Sequence, residues 1–109
     1  MAGIKLIVAY PTPTDISAFE KVYNEEHIPM AAEKLAGKTK LVATKILSMA
    51  DGSAAPYYRI AEVHFPSAEV LAACATSEGG QATVAHAVEI SSGGMPLFMV
   101  AEEEVVTFD

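Results

Sequence analysis

The stretch Ile4-Lys5-Leu6-Ile7-Val8-Ala9-Tyr10 is apolar at both parities and runs straight into Pro11-Thr12-Pro13. No other feature of the chain restricts its fold as strongly. The branched and aliphatic residues favour a strand, and the prolines, lacking N–H donors, cannot continue a ladder. Side chains alternate between faces, so Ile4, Leu6, Val8 and Tyr10 share one side while Ile7 and Ala9 share the other. An antiparallel sheet wetted on one face shows clean alternation of apolar and polar residues. This strand does not, so both of its faces need cover.

The remaining elements follow from spacing and caps. Thr14 or Asp15 offers an N-cap to a helix carrying Ile16, Phe19, Val22 and Tyr23, and Pro29 predicts its end near His27. Ile28, preceding a proline, is expected to be extended, with a second short turn over residues 30–36 closed by Gly37. Strands are predicted over 40–49 and 57–65, joined across Asp51-Gly52-Ser53, and the second is stopped by Pro66. Ser67 caps a helix over 68–75, a break falls at Ser77-Glu78-Gly79-Gly80, another helix covers 81–90, and a fourth strand covers 95–107. The order βαββαβ is the ferredoxin-like α+β arrangement, one antiparallel four-stranded sheet with helices on one face. Those helices cover a single side. The economical cover for the other is the same sheet of a second copy, which predicts a homodimer joined through the sheet face.

Composition narrows the partners. At 109 residues one domain, 1–109, is expected, and a hydrophobic share of 51% is consistent with an additional buried surface. The net charge of −7 argues against nucleic acid and anionic membranes, both of which are bound through basic patches. No run approaches the length of a membrane span and no leader pattern opens the chain, so a cytoplasmic location is expected. The lone Cys74 reads as a small buried apolar side chain. Metal-ligand spacings, dinucleotide and phosphate loops and hydrolase elbows are all missing, so neither metal nor cofactor is predicted.

The segment Tyr23-Asn24-Glu25-Glu26-His27-Ile28-Pro29 has the form Y-x-x-x-H-x-P, placed after a strand and a short helix. Together with YYRIAEVHF over 57–65, Ser67-Ala68-Glu69-Val70-Leu71 and Thr76-Ser77-Glu78-Gly79, it resembles the EthD family across nearly the whole chain. That resemblance implies a ferredoxin-like subunit whose sheet packs on its twin to form a dimeric α/β-barrel, with a cleft between each sheet and its own helices. It also implies kinship with a superfamily that includes cofactor-independent quinone-forming monooxygenases, lactone isomerases and haem-handling enzymes. Fold does not choose among these chemistries. Against the family pattern, Gly79-Gly80 is expected to loosen the start of the last helix.

His27 is the leading candidate acid or base, because imidazole titrates near neutral pH. Phe19, Tyr23 and His27 fall four residues apart, one stripe on a helix, so Tyr23 is placed beside His27 to orient it. At a helix C-terminus the dipole, with Glu25 and Glu26, would favour charged His27. Tyr10, Phe19, Tyr58, His64 and Phe98 are candidate pocket residues. His64 shares its parity with Tyr58, Ile60 and Glu62, and it faces either the cleft or a dimer interface. His86, in an alanine-rich helix, is expected at the surface. Glu102-Glu103-Glu104 is expected to turn at least one carboxylate outward, either into solvent or toward lysines of a partner. Two functions stay open: an oxygenase or isomerase of a small apolar or aromatic metabolite in catabolism, or a carrier serving a partner oxygenase.

Overall fold

The computed structural model describes residues 3–109, so the reading of the chain's start, insofar as it rests on Met1 and Ala2, lies outside the described residues. The elements are β1 (Gly3–Pro11), α1 (Ile16–Val22), a π-helical segment (Tyr23–His27), α2 (Ile28–Lys34), β2 (Lys40–Lys45), β3 (Tyr57–Phe65), α3 (Ala68–Thr76), α4 (Glu78–Ile90) and β4 (Leu97–Glu103). The strands form one antiparallel sheet in the order β2-β3-β1-β4, as the ferredoxin-like reading requires. β2 and β4 are both shorter than the sequence pattern indicated. The chain beyond β4 leaves Val105, Val106 and Phe108 exposed.

Register decides what each face carries. Ile4 pairs with Phe65, Leu6 with Val63, Val8 with Ala61 and Tyr10 with Arg59, and this set packs under the helices. Phe19, Tyr23 and Ala87 close over Val8 and Tyr10, while Ala31, Leu35, Leu71 and Cys74 close over Val63 and Phe65. The opposite parity carries Ile7, Ala9 and Ile60, flanked on β4 by Leu97 and Met99, each 43% exposed. Lys5, Glu62 and His64 belong to that same open face.

The helical layer departs from the sequence reading at Pro29. Ile28 is helical, with φ −61° and ψ −46°, and its N–H bonds to the Tyr23 carbonyl five residues back. In a regular α-helix the Pro29 ring would strike the carbonyl of Glu25. One π-turn widens the ladder just there, so the chain continues into α2 and does not stop at His27. The pre-proline rule is a steric preference, and Ile28 departs from it within the continuing helix.

The second correction concerns Gly79 and Gly80. They lie inside the first turn of α4, which Ser77 caps by accepting the N–H of Gly80 at 3.0 Å. A Cβ at Gly79 would overlap the Lys34 carbonyl at the end of α2, and one at Gly80 would overlap the Cys74 carbonyl of α3. The glycines therefore bring α4 into close contact with two neighbouring helices instead of loosening it. Gly80→Ala must displace backbone, and we expect a loss of about 1–3 kcal/mol in unfolding free energy, measured as a lower urea midpoint at unchanged slope.

Candidate functional site

Four rings run in succession beneath the helical layer. Phe19 and Tyr23 are near-parallel with centroids 5.4 Å apart, and Tyr23 and His27 are near-parallel at 5.9 Å. His86 of α4 adds a fourth ring, 5.1 Å from His27 and inclined by 18°. In an α-helix each step of four residues drifts by about 40° around the axis. The π-turn offsets that drift and holds His27 over the sheet. Tyr10 of β1 meets Phe19, Tyr23 and His27 edge-on, at 5.4, 5.5 and 6.2 Å.

Both nitrogens of His27 are engaged. The Tyr10 hydroxyl lies 3.1 Å from Nε2, and Nδ1 lies 2.9 Å from Nδ1 of His86. The His27–His86 centroid spacing equals that contact plus two ring radii, so the imidazoles meet edge to edge in nearly one plane. Such an arrangement is a hydrogen bond along the ring lone pairs. Burial pushes the His27 pKa down to about 4, with the neighbouring His86 acting in the same direction. This corrects the expectation of a dipole-stabilised cation: because the chain stays helical past His27, no helix end is present to stabilise charge. Burial also raises the Tyr10 phenol, so Tyr10 keeps its proton.

Arg59 completes the far end. Its Nε and Nη2 donate to the Glu20 carboxylate at 2.9 and 2.8 Å, and its guanidinium sits 5.0 Å from the centroid of the Tyr23 ring. Burial pushes the Tyr23 hydroxyl up to about 12. That hydroxyl is the one buried side-chain polar atom without a partner among the described residues.

A cavity of about 30 Å³ opens beside His27, lined by Tyr10, Ala31, Thr83, Val84, Ala87 and Phe98 among others. A second cavity of about 30 Å³ reaches Cys74 and shares the walls Leu6, Leu35 and Val84. Of the residues proposed from sequence, Tyr10, His27 and Phe98 line the cleft. Phe19 and Tyr23 pack behind Tyr10 and His27. Tyr58, displaced by the irregularity between Tyr10 and Pro11, packs edge-on against Phe19 at 6.0 Å. His64 is excluded from the cleft, because it pairs with Lys5 on the parity turned away from the helices. His86 is half-buried, with Nδ1 turned into the site against His27. The acidic run is likewise resolved: Glu102 is exposed, while Glu103 pairs with Lys5 of the same chain at 3.0 Å and Glu62 shares that lysine.

The fold and this site define a ferredoxin-like α+β protein with an imidazole-bearing apolar cleft. The chain belongs to the EthD family, whose domain model matches residues 12–89. It is 26% identical over 102 residues to an uncharacterised 11.0 kDa protein of the thcB-thcC intergenic region of Rhodococcus erythropolis, covering 94% of this chain and 97% of that one. An ethyl tert-butyl ether degradation (EthD) family protein of Bacillus halodurans superposes with a TM-score of 0.86 at 25% identity, covering 94% of this chain and 99% of that one. A dimeric ferredoxin-like protein of unknown function from Bacteroides fragilis superposes at 0.65 with 15% identity, covering 93% and 96%. Among the described residues no helix is long and apolar enough to cross a membrane.

The depressed pKa makes His27 a stability switch. It binds a proton in the unfolded chain near pH 6.5 but in the folded chain only near 4, so stability is full above 6.5 and falls as pH drops toward 4. The span corresponds to roughly 3 kcal/mol. Chemical denaturation at pH 7 and pH 4.5 should show a larger acid loss for the wild type than for His27→Gln, which has no such titration.

Proposed function

We propose that the protein is a homodimeric acid–base catalyst acting without a cofactor on a small apolar or aromatic metabolite, with His27 as the base and Tyr10 as its partner. The observation that carries this reading is an imidazole kept neutral at the wall of an apolar cavity with both ring nitrogens hydrogen-bonded. A carrier needs apolar walls alone. A general base needs a proton acceptor of defined tautomer within reach of the ligand, and in this reading the Tyr10 oxygen, which lines the cavity and is backed by Nε2 of His27, is that acceptor. Tyr23 has the supporting place given to it by its position in the ring series: it holds His27 from one side while Arg59 holds Tyr23. Proton removal is the common opening of isomerisation and of cofactor-free oxygenation, and a catabolic role in the cytoplasm suits either.

Cavity size limits the ligand. An apolar cavity of roughly 150 Å³ holds one benzene ring. Neither cavity reaches that size alone, so binding in this reading joins the two as Val84, 36% exposed at the shared wall, turns outward with Phe98. A bound ring then touches His27 at one end and the Cys74 side of the cleft at the other.

The test follows proton abstraction itself. Small ketones, lactones and phenols are incubated in D₂O, and deuterium incorporation at their acidic carbons is followed by NMR. The wild type should accelerate exchange in at least one compound, and His27→Gln should lose about 100-fold of that acceleration while still binding. Binding without any acceleration by the wild type would make the protein a carrier.

The dimer is the second part of the reading. The open sheet face is apolar through Ile7, Ala9, Ile60, Leu97 and Met99, and a fold relative is described as dimeric. Met99→Lys places a charge beside Ile7, at the β4 edge of that face, without entering the core of the subunit. Sedimentation at micromolar concentration should show a wild-type dimer and a folded monomeric variant. A folded wild-type monomer would remove the dimer from the proposal.

A further inference from the structure

The two Nδ1 atoms of His27 and His86 stand 2.9 Å apart, and a contact of that length between two acceptors requires one proton between them. Its owner can be identified by accounting for every hydrogen. Tyr10 is fully buried and protonated, and among the described residues its hydroxyl has a single partner, Nε2 of His27. If His86 held the shared proton, neutral His27 would carry its own on Nε2 and face the Tyr10 oxygen with it. The Tyr10 proton would then be buried with no acceptor, a loss of about 1–3 kcal/mol. If His27 holds the proton on Nδ1, every group is satisfied: Tyr10 donates to Nε2, and Nδ1–H donates to His86. Neutral His86 then carries its proton on Nε2. That atom has no partner among the described residues, yet it is not among the buried unpaired atoms, so it reaches solvent.

We propose that His86 is the solvent-side member of a directed proton chain, Tyr10 to His27 to His86, through which the cleft exchanges protons with water. The proposal rests on the reading of His27 as a base and adds the route by which the base is regenerated. When a ligand X–H bond breaks, its electron pair stays on the ligand and its proton passes to the Tyr10 oxygen. The Tyr10 proton moves to His27 Nε2, the His27 Nδ1 proton moves to His86 Nδ1, and His86 releases its Nε2 proton to water. The chain is then polarised the opposite way, with Tyr10 able to donate to the ligand anion at a second position. Return of that proton draws one from water through His86 and restores the starting tautomers. His86 is a positioning residue in this scheme, since it acts only through His27.

The surroundings favour this direction. Around the chain stand Tyr10 from β1, Tyr23 from the π-segment and His86 from α4, with the Glu20–Arg59 pair beyond Tyr23. Neither imidazole is ion-paired with a carboxylate among the described residues, so no fixed anion traps an imidazolium. The rings meet in one plane, which is the geometry for transfer along a hydrogen bond.

The test needs no ligand and therefore separates this inference from the proposed activity. On the full-length ¹⁵N-labelled protein, long-range nitrogen–proton correlation reports each tautomer, and exchange with water reports the Tyr10 hydroxyl and His27 Nδ1 protons. We expect Nδ1–H on His27 and Nε2–H on His86. In His86→Asn and His86→Gln an amide oxygen can accept from His27 but cannot pass a proton on. Exchange of both protons should slow by about 100-fold in at least one of these variants while His27 stays Nδ1-protonated. Nε2–H on wild-type His27, unchanged exchange in both variants, or slowing accompanied by a flipped His27 tautomer would each overturn the proton chain.

Discussion

Leaving a buried phenol hydroxyl without an acceptor costs free energy, and at Tyr10, unlike at Tyr23, an acceptor is in place and organises the site. Tyr10 is fully buried at the end of β1, under three aromatic rings presented edge-on. Among the described residues its only hydrogen-bond partner is His27, so the cost of an unpaired buried donor orients that imidazole and selects its tautomer. Everything beyond follows outward: a neutral His27 must give its remaining proton to His86, and His86 must meet solvent. Removing the Tyr10 hydroxyl would leave the rings packed but the tautomer undetermined.

Two local departures from regular structure serve this geometry. The π-turn at Tyr23–His27 lets the helix pass Pro29 and keeps its rings over the sheet. The close approach at Gly79 and Gly80 brings α4 near enough for His86 to reach His27. Wide turns of this kind are favoured at functional sites because they re-aim side chains without ending the helix. Here the widened turn and the glycine contact lie on the two helical elements that carry the two imidazoles.

Much of the fold and half of the site were legible in the sequence. Strand identity, order and the helix caps at Asp15 and Ser67 follow from short-range patterns, and the Phe19, Tyr23, His27 stripe follows from helical spacing. What escaped depends on long-range geometry. The cleft parity of His64 needs the pairing of β1 with β3, which periodicity alone does not supply. The contact of His86 with His27 escapes as well, because an alanine-rich helix shows little contrast between its faces. A signal was nonetheless present: Gly80, Thr83 and Ala87 form a small-residue inward stripe, and His86 lies beside it. Of the acidic run, left open in sequence between solvent and a partner's lysines, Glu103 meets Lys5 of its own chain together with Glu62, because strands adjacent to β1 on both sides bring one carboxylate each to that lysine.

The alternation of β1 keeps two roles apart. Val8 and Tyr10 point to the helices and the site, while Ile7 and Ala9 point to the open face. Side chains on the two parities share backbone but no packing partners, and groups without shared partners contribute nearly additively. A substitution at Ile7 or Met99 therefore acts on the open face, and one at Val8 or Leu6 acts on the cleft. The sheet edge at β4 is the exception: Phe98 lines the cleft while its neighbours Leu97 and Met99 lie on the open face, all three exposed. If a second subunit packs on that face, it stiffens the strand that carries Phe98. Association then restrains one of the two walls, Phe98 beside Val84, that move in the proposed ligand entry, coupling the two roles through a single strand.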